Sequence, residues 1–254
     1  MKRLIFTLIF AAGMMLPTLA QKHQVKSIKH ERLTVDARYD AVPDKKAETF
    51  MTPYRMRVDS VMAPVVGKCA RDMRSERPES EMPNLLADIL AWSAWHDYNE
   101  KVDFALYNIG GIRAVFSAGD IRIGDVVDVA PFENKICFLT LKGSDVTELF
   151  QQIARRGGEG VSGAIRCTIS NKGELLDLTI NNQPVDPEKE YRLATIDYLI
   201  EGNDGMMALR KGTNIIAPKE EKNDTRFIIM DYFREKAMMG EAVDAKIEGR
   251  IKVL

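Results

Sequence analysis

The stretch KICFLTLKGSDVTELFQQI, residues 135–153, decides the fold class. Its first seven residues read as a strand, and Gly143-Ser144 breaks the run. Val146, Leu149, Phe150 and Ile153 then recur at i, i+3, i+4 and i+7, the spacing of one helical face, with Ser144 as the expected cap. The next periodic segments change back to strand spacing. Past the Gly157-Gly158-Glu159-Gly160 loop, residues 164–170 and 175–180 flank Asn171-Lys172-Gly173, a hairpin signal. Residues 191–197 predict a further strand that enters Gly202-Asn203-Asp204-Gly205, and a helix over 225–237 and a strand over 246–253 follow. Hairpins mixed with separated helices predict an α+β fold rather than a regular parallel sheet.

In the other direction, residues 102–107 form an apolar run of strand length that ends in the turn Asn108-Ile109-Gly110-Gly111-Ile112-Arg113. Before it, Pro83-Asn84 opens a helix with Asn84 as expected N-cap and Leu85, Leu86, Ile89, Leu90 and Trp92 on its apolar face. A further helix is expected over 56–73, where Val58, Met62, Val65 and Val66 recur. The first 20 residues combine Lys2 and Arg3, an apolar run and a small-x-small exit at Ala20, which predicts a secretory signal cleaved after Ala20. The run stops at Pro17, short of the roughly 20 residues a membrane anchor needs, so no anchor is expected and the chain reads as periplasmic or secreted. The predicted organisation is a signal over 1–20, an extension over 21–55 and one domain over 56–254.

Composition narrows the chemistry. Of 254 residues 45% are hydrophobic and 29% charged, an ordinary globular balance, and a net charge of −1 offers no field for a nucleic-acid backbone. Cys69, Cys137 and Cys167 allow at most one disulfide, and Cys137 and Cys167 read as small buried hydrophobes. Of the three histidines, His23 and His30 fall in the leading tail, and His96 reads as a surface residue near a helix end. There is no His-Glu-x-x-His, Gly-x-Ser-x-Gly or Gly-x-x-x-x-Gly-Lys, so a self-contained zinc protease, serine hydrolase or nucleotide-driven motor finds no support. What remains is a set of loops suited to holding a ligand, among them a glycine pair set between the Asn108 amide and the Arg113 guanidinium.

Six short patterns in order carry a resemblance: Asn84-Leu-Leu-Ala-Asp88, Asn108-Ile-Gly-Gly-Ile-Arg113, Pro131-Phe-Glu-Asn134, Leu139-Thr-Leu-Lys-Gly143, Gly202-Asn-Asp-Gly205 and Ile247-Glu-Gly-Arg-Ile251. From Met56 to Ile251 the chain resembles the C-terminal, substrate-recognition domain of the 5′-nucleotidase family. The resemblance implies a four-layer α/β/β/α domain that grips a nucleotide or nucleoside. It assigns substrate binding to Asn108, Arg113, Asn134, Tyr198 and Asp204, with Tyr198 stacking on the base and Asp204 accepting from ribose hydroxyls. Family members carry an N-terminal calcineurin-like metallophosphoesterase domain with two metal ions, and the resemblance implies no cofactor and no catalytic residue on this chain. The divalent metals are then expected on a separate metallophosphoesterase chain.

Two departures stand out. Where the family has Phe-x-Gln this chain reads Gly158-Glu159-Gly160, which implies loss of one wall of an aromatic sandwich, and Asn203 replaces a glycine at a site expected to need left-handed backbone. From residue types alone, Tyr198 also reads as a strand-end core residue, Asp204 as a loop former and Arg113 as the partner of a carboxylate. A non-catalytic protein binding another small polar ligand is the alternative reading.

Overall fold

Strand β4 (Ile136–Lys142) occupies the expected place and lies at the heart of a five-stranded sheet. The structure, a computed structural model, describes residues 25–254 apart from 40 and 42, so the expected signal over 1–20 lies outside the described residues. The chain divides into Met1–Met51 and Thr52–Leu254. Within the first unit the described part contains a short turn of 3-10 helix, Ala37–Tyr39, where Asp36 accepts from Arg38 Nε at 2.8 Å. Helix α1 (Lys45–Met62) starts before this division and ends after it.

In the second unit β4 runs antiparallel to β9 (Glu190–Ile196), and β9 runs parallel to β2 (Phe104–Tyr107). The edges are β5 (Gly160–Val161) beside β2 and β10 (Thr213–Ile216) beside β4. Cross-strand register places Phe104, Leu193 and Leu139 on one face and Ala105, Ala194 and Phe138 on the other, since strand side chains alternate. Helix α4 (Gly143–Arg155) covers the first face, with Phe150 against Phe104 at 5.9 Å between ring centroids. Its predicted stripe of Val146, Leu149, Phe150 and Ile153 is fully buried. Helix α2 (Glu81–His96) lies against β2, β5 and β9 with α6 (Thr225–Met238) beside it, and Tyr98, just beyond α2, meets Phe138 at 5.1 Å.

A second sheet, in the order β11 (Ile251–Val253), β6 (Ile165–Ile169), β7 (Leu175–Ile180) and β8 (Gln183–Pro184), contains the predicted hairpin as antiparallel β6 and β7. The remaining elements are a two-stranded sheet of β1 (Val65–Cys69) and β3 (Gly119–Arg122), and the short helices α3 (Ile123–Val129) and α5 (Asp197–Ile200). Mixed helices and sheets give the α+β class that the alternating periodicities imply.

Four local expectations need correction. The helix expected over 56–73 ends at Met62, and Val65 and Val66 belong to β1, because the residue before Pro64 is pushed out of helical geometry. Asn84 is not a cap: α2 begins at Glu81 after Ser80, and the buried Asn84 amide donates to Glu79 Oε1 at 2.8 Å and to Lys246 O at 3.0 Å. Helix α4 starts at Gly143, with Lys142 rather than Ser144 in the cap position. The last strand spans only three residues. All three cysteines are buried and free, and burial pushes the Cys137 and Cys167 thiols up to about 12, far from thiolate formation at neutral pH.

Candidate functional site

Because β2 and β9 are parallel neighbours, their carboxyl ends leave the sheet on the same side, and antiparallel β4 begins there, Ile136 standing opposite Ile196. Three connections therefore converge: the turn after β2, the approach to β4 and the loop after β9. Carboxyl ends of central strands are where open sheets with covering helices place ligands. A pocket of about 230 Å³ lies there, lined by Asn108, Gly110 and Gly111 from the first connection, Phe132 and Asn134 from the second, and Tyr198 and Asp204 from the third. That volume is below the roughly 300–1,000 Å³ of pockets that enclose a whole small molecule, so it suits one ring system with the rest of a ligand projecting outward.

Asp204 is the polar centre. It adopts left-handed backbone, φ 54° and ψ 22°, after Gly202 at φ 79°. Asn203 does not take the left-handed conformation expected of it; its amide instead donates to Tyr198 O at 2.7 Å and ties the loop to α5. Asn108 Nδ2 donates to Asp204 Oδ2 at 2.7 Å, while the Tyr198 hydroxyl stands 3.5 Å from Oδ1 and Arg156 Nη2 3.7 Å from the same oxygen. A Cβ at 111 would come within 2.8 Å of Asn108 Oδ1 and displace that side chain from Asp204.

The fold thus brings together Asn108, Asn134, Tyr198 and Asp204. Arg113 does not line this pocket; its side chain is exposed and forms no hydrogen bond or ion pair with another described residue, while its backbone amide donates to Val129 O at 3.0 Å.

Two residues that sequence reasoning passed over matter here. The pocket has a second aromatic after all, Phe132, which is half exposed and shares the lining with Tyr198. Its signal is in the sequence, since Phe132 stands two residues before Asn134 in Pro131-Phe-Glu-Asn134. The other is Glu159, whose loop the sequence presents only as a departure. Its fully buried carboxylate accepts from the Ile109 amide at 2.6 Å, from Arg156 Nε at 2.7 Å and from Arg77 Nη2. Among the described residues no group of three or more His, Cys, Asp or Glu side chains converges to hold a metal ion. No described helix is long and apolar enough to cross a membrane.

Comparison with known proteins identifies the family and the fold. The sequence model of a family described as 5′-nucleotidase, C-terminal domain matches residues 62–211. Protein UshA of Salmonella pullorum is 30% identical over 148 residues, covering 56% of this chain and 25% of that protein. Protein UshA of Escherichia coli is 36% identical over 106 residues, covering 41% and 19%. The chain therefore spans about a quarter or less of the length of these relatives. Among solved structures, a 5′-nucleotidase precursor from Thermus thermophilus superposes with a TM-score of 0.71 at 25% identity over 85% of this chain and 45% of the other. The NAD nucleotidase of Haemophilus influenzae shares the fold at a TM-score of 0.61, with 18% identity over 83% and 41% of the two chains.

Proposed function

From the premise that the chain belongs to the 5′-nucleotidase C-terminal domain family, we propose that it is the nucleotide- or nucleoside-recognition component of a periplasmic or secreted 5′-nucleotidase. In this reading the divalent metals are held by a separate metallophosphoesterase chain. This chain binds and orients the nucleoside, and the metal-bearing chain activates the water that attacks the phosphoester, because positioning and metal-assisted attack are separable contributions.

The observation that carries the reading is one pocket lined by two aromatic residues, Phe132 and Tyr198, together with Asp204, Asn108 and Asn134. Aromatic faces give stacking area to a flat base at low entropic cost, a carboxylate accepts from adjacent hydroxyls, and the Asn134 side-chain amide can offer both donor and acceptor to a base edge, while Asn108 is spent on holding Asp204. Arg113, exposed and without a side-chain partner among the described residues, stands as a guanidinium available to an anionic group outside the pocket.

The test is phosphate release from nucleoside monophosphates by the purified chain, alone and with a candidate metallophosphoesterase. The expected result is a rate or substrate preference that changes when the two are combined; if neither changes, the two-chain arrangement fails. Thermal titration with nucleosides tests recognition separately, since a ligand at a hundred times its Kd raises stability by about 2.7 kcal/mol. Silence across all nucleosides would instead favour a binding protein for another polar ligand.

A further inference from the structure

We propose that Glu159 is a positioning residue for the pocket, its buried carboxylate fixing the turn from Asn108 to Gly111 through the Ile109 amide and steering Asp204 through Arg156. For its binding arm the inference rests on the nucleoside reading above; its structural arm does not.

The side chain of Glu159 is wholly withdrawn from solvent, and a buried carboxylate is retained only where donors replace its lost hydration. Three segments supply them. Ile109, inside the turn that brings Asn108, Gly110 and Gly111 to the pocket, donates its backbone N–H to Oε2 at 2.6 Å. Arg156, at the end of α4, donates Nε to Oε1 at 2.7 Å. Arg77 donates Nη2 to the same oxygen and Nε to Gly158 O at 2.9 Å, so the loop carrying Glu159 is itself clamped. With Nε occupied by Glu159, the guanidinium of Arg156 presents Nη2 toward Asp204 Oδ1 at 3.7 Å. Asp204 in turn holds Asn108 Nδ2 at 2.7 Å, which closes a circuit from Glu159 through the turn and back through Arg156.

Such a circuit sets the spacing between the two sides of the pocket, the turn after β2 and the loop after β9. Glutamine at 159 retains an acceptor for the Ile109 amide but turns an NH₂ group toward two cations, so Arg156 loses its anchor while the turn keeps one of its own. Alanine removes both.

The experiment compares wild type, Glu159→Gln, Glu159→Ala and Arg156→Met by amide hydrogen exchange without ligand and by calorimetric titration with adenosine, each well below the variant's melting midpoint. Glu159→Ala should raise exchange at residues 108–111 and 202–205 while β4 keeps wild-type protection. Adenosine affinity should fall about ten- to a hundredfold in Glu159→Ala, and less in Glu159→Gln. Arg156→Met should keep protection of the turn and still lose affinity. Should Glu159→Ala not fold, Arg156→Met and Glu159→Gln carry both readouts. Exchange that rises uniformly, β4 included, is what a merely structural residue predicts; that result, or a turn that stays protected in folded Glu159→Ala, would overturn the proposal. If wild type ignores adenosine while the alanine variant loosens the turn, the nucleoside reading fails and the positioning role stands.

Discussion

Two buried ion hubs flank the short strand β5, and they are built in opposite senses. On one side Arg250, with 5% of its side chain exposed, is the centre and its carboxylate partners Asp88 and Glu248 reach solvent. On the other side the centre is the carboxylate of Glu159, at 0% exposure, and its partners Arg77 and Arg156 reach solvent. Arg250 grips Asp88 through two bonds of 2.9 and 2.7 Å and also donates to Val161 O at 2.8 Å and Asn84 O at 3.3 Å. It therefore joins the end of the chain to α2 and β5. Glu159 reaches into the ligand loops instead. Similar Arg–carboxylate chemistry thus serves closure of the fold in one place and spacing of the pocket in the other, and which backbone groups the hub serves decides the difference.

The largest expected effect of a break falls on the closing hub. Arg250→Met deletes every one of these bonds, taking the guanidinium donor from Asp88, Glu248 and the Val161 and Asn84 carbonyls, at a cost of about 2–4 kcal/mol in unfolding free energy measured by denaturant titration. The half-exposed carboxylates keep part of their hydration, which holds the loss below that of a fully buried orphan charge. Adenosine affinity of the folded variant should remain within about twofold of wild type, because Arg250 lines no part of the pocket and bonds to neither the turn after β2 nor the loop after β9. A large loss of affinity at unchanged fold would abolish the division of labour between the hubs.

Substitutions at the pocket rim should show the converse. Phe132→Ala and Tyr198→Ala each remove one stacking face from a half-exposed position, so calorimetry should show adenosine binding weakened by about 1–3 kcal/mol while the unfolding free energy shifts by less than about 1 kcal/mol. If only Tyr198→Ala matters, the pocket works with a single wall, as the missing Phe-x-Gln pattern implies. If both matter, Phe132 supplies the second.

What the sequence revealed follows the same line. The helical stripe of α4 and the β6–β7 hairpin were legible because periodicity and turn chemistry are local, and Asn108, Tyr198 and Asp204 because their patterns carry a family resemblance. The ion hubs were not, although each of their residues was visible. Asp88 and Arg250 lie in quoted patterns 162 positions apart, and only the fold shows that they are one feature. Asn84 looked like a cap because an amide beside Pro83 often is one, whereas its real partners, Glu79 and Lys246, include a residue at the far end of the chain. Glu159 is the least legible of all: flanked by glycines it has the look of a loop residue, and nothing local announces that Arg77, 82 positions earlier, meets it.

The smallest effect belongs to a third charged contact, one with no buried centre. His96 closes α2, stacks on Trp92 at 4.6 Å, and lies 2.7 Å through Nδ1 from Asp97 Oδ1 and 3.2 Å through Nε2 from Glu235 Oε2 on α6. The bond to Asp97 raises its pKa above the usual histidine value against a smaller opposing effect of desolvation, and the charges of Asp97, Glu235 and Asp231 add to the rise. A folded-state pKa above the unfolded one means that protonation stabilises: the contribution is complete below about pH 6.5 and disappears as pH rises through the folded value. Half of the side chain is exposed, so solvent screening keeps the gain below about 1 kcal/mol. Denaturant titrations between about pH 5.5 and 8.5 should therefore show wild type losing a little stability with rising pH relative to His96→Gln, and salt should shrink the difference. Were His96→Gln to cost as much as Arg250→Met, exposure would not be what ranks these contacts, and the contrast between the two hubs would need another cause.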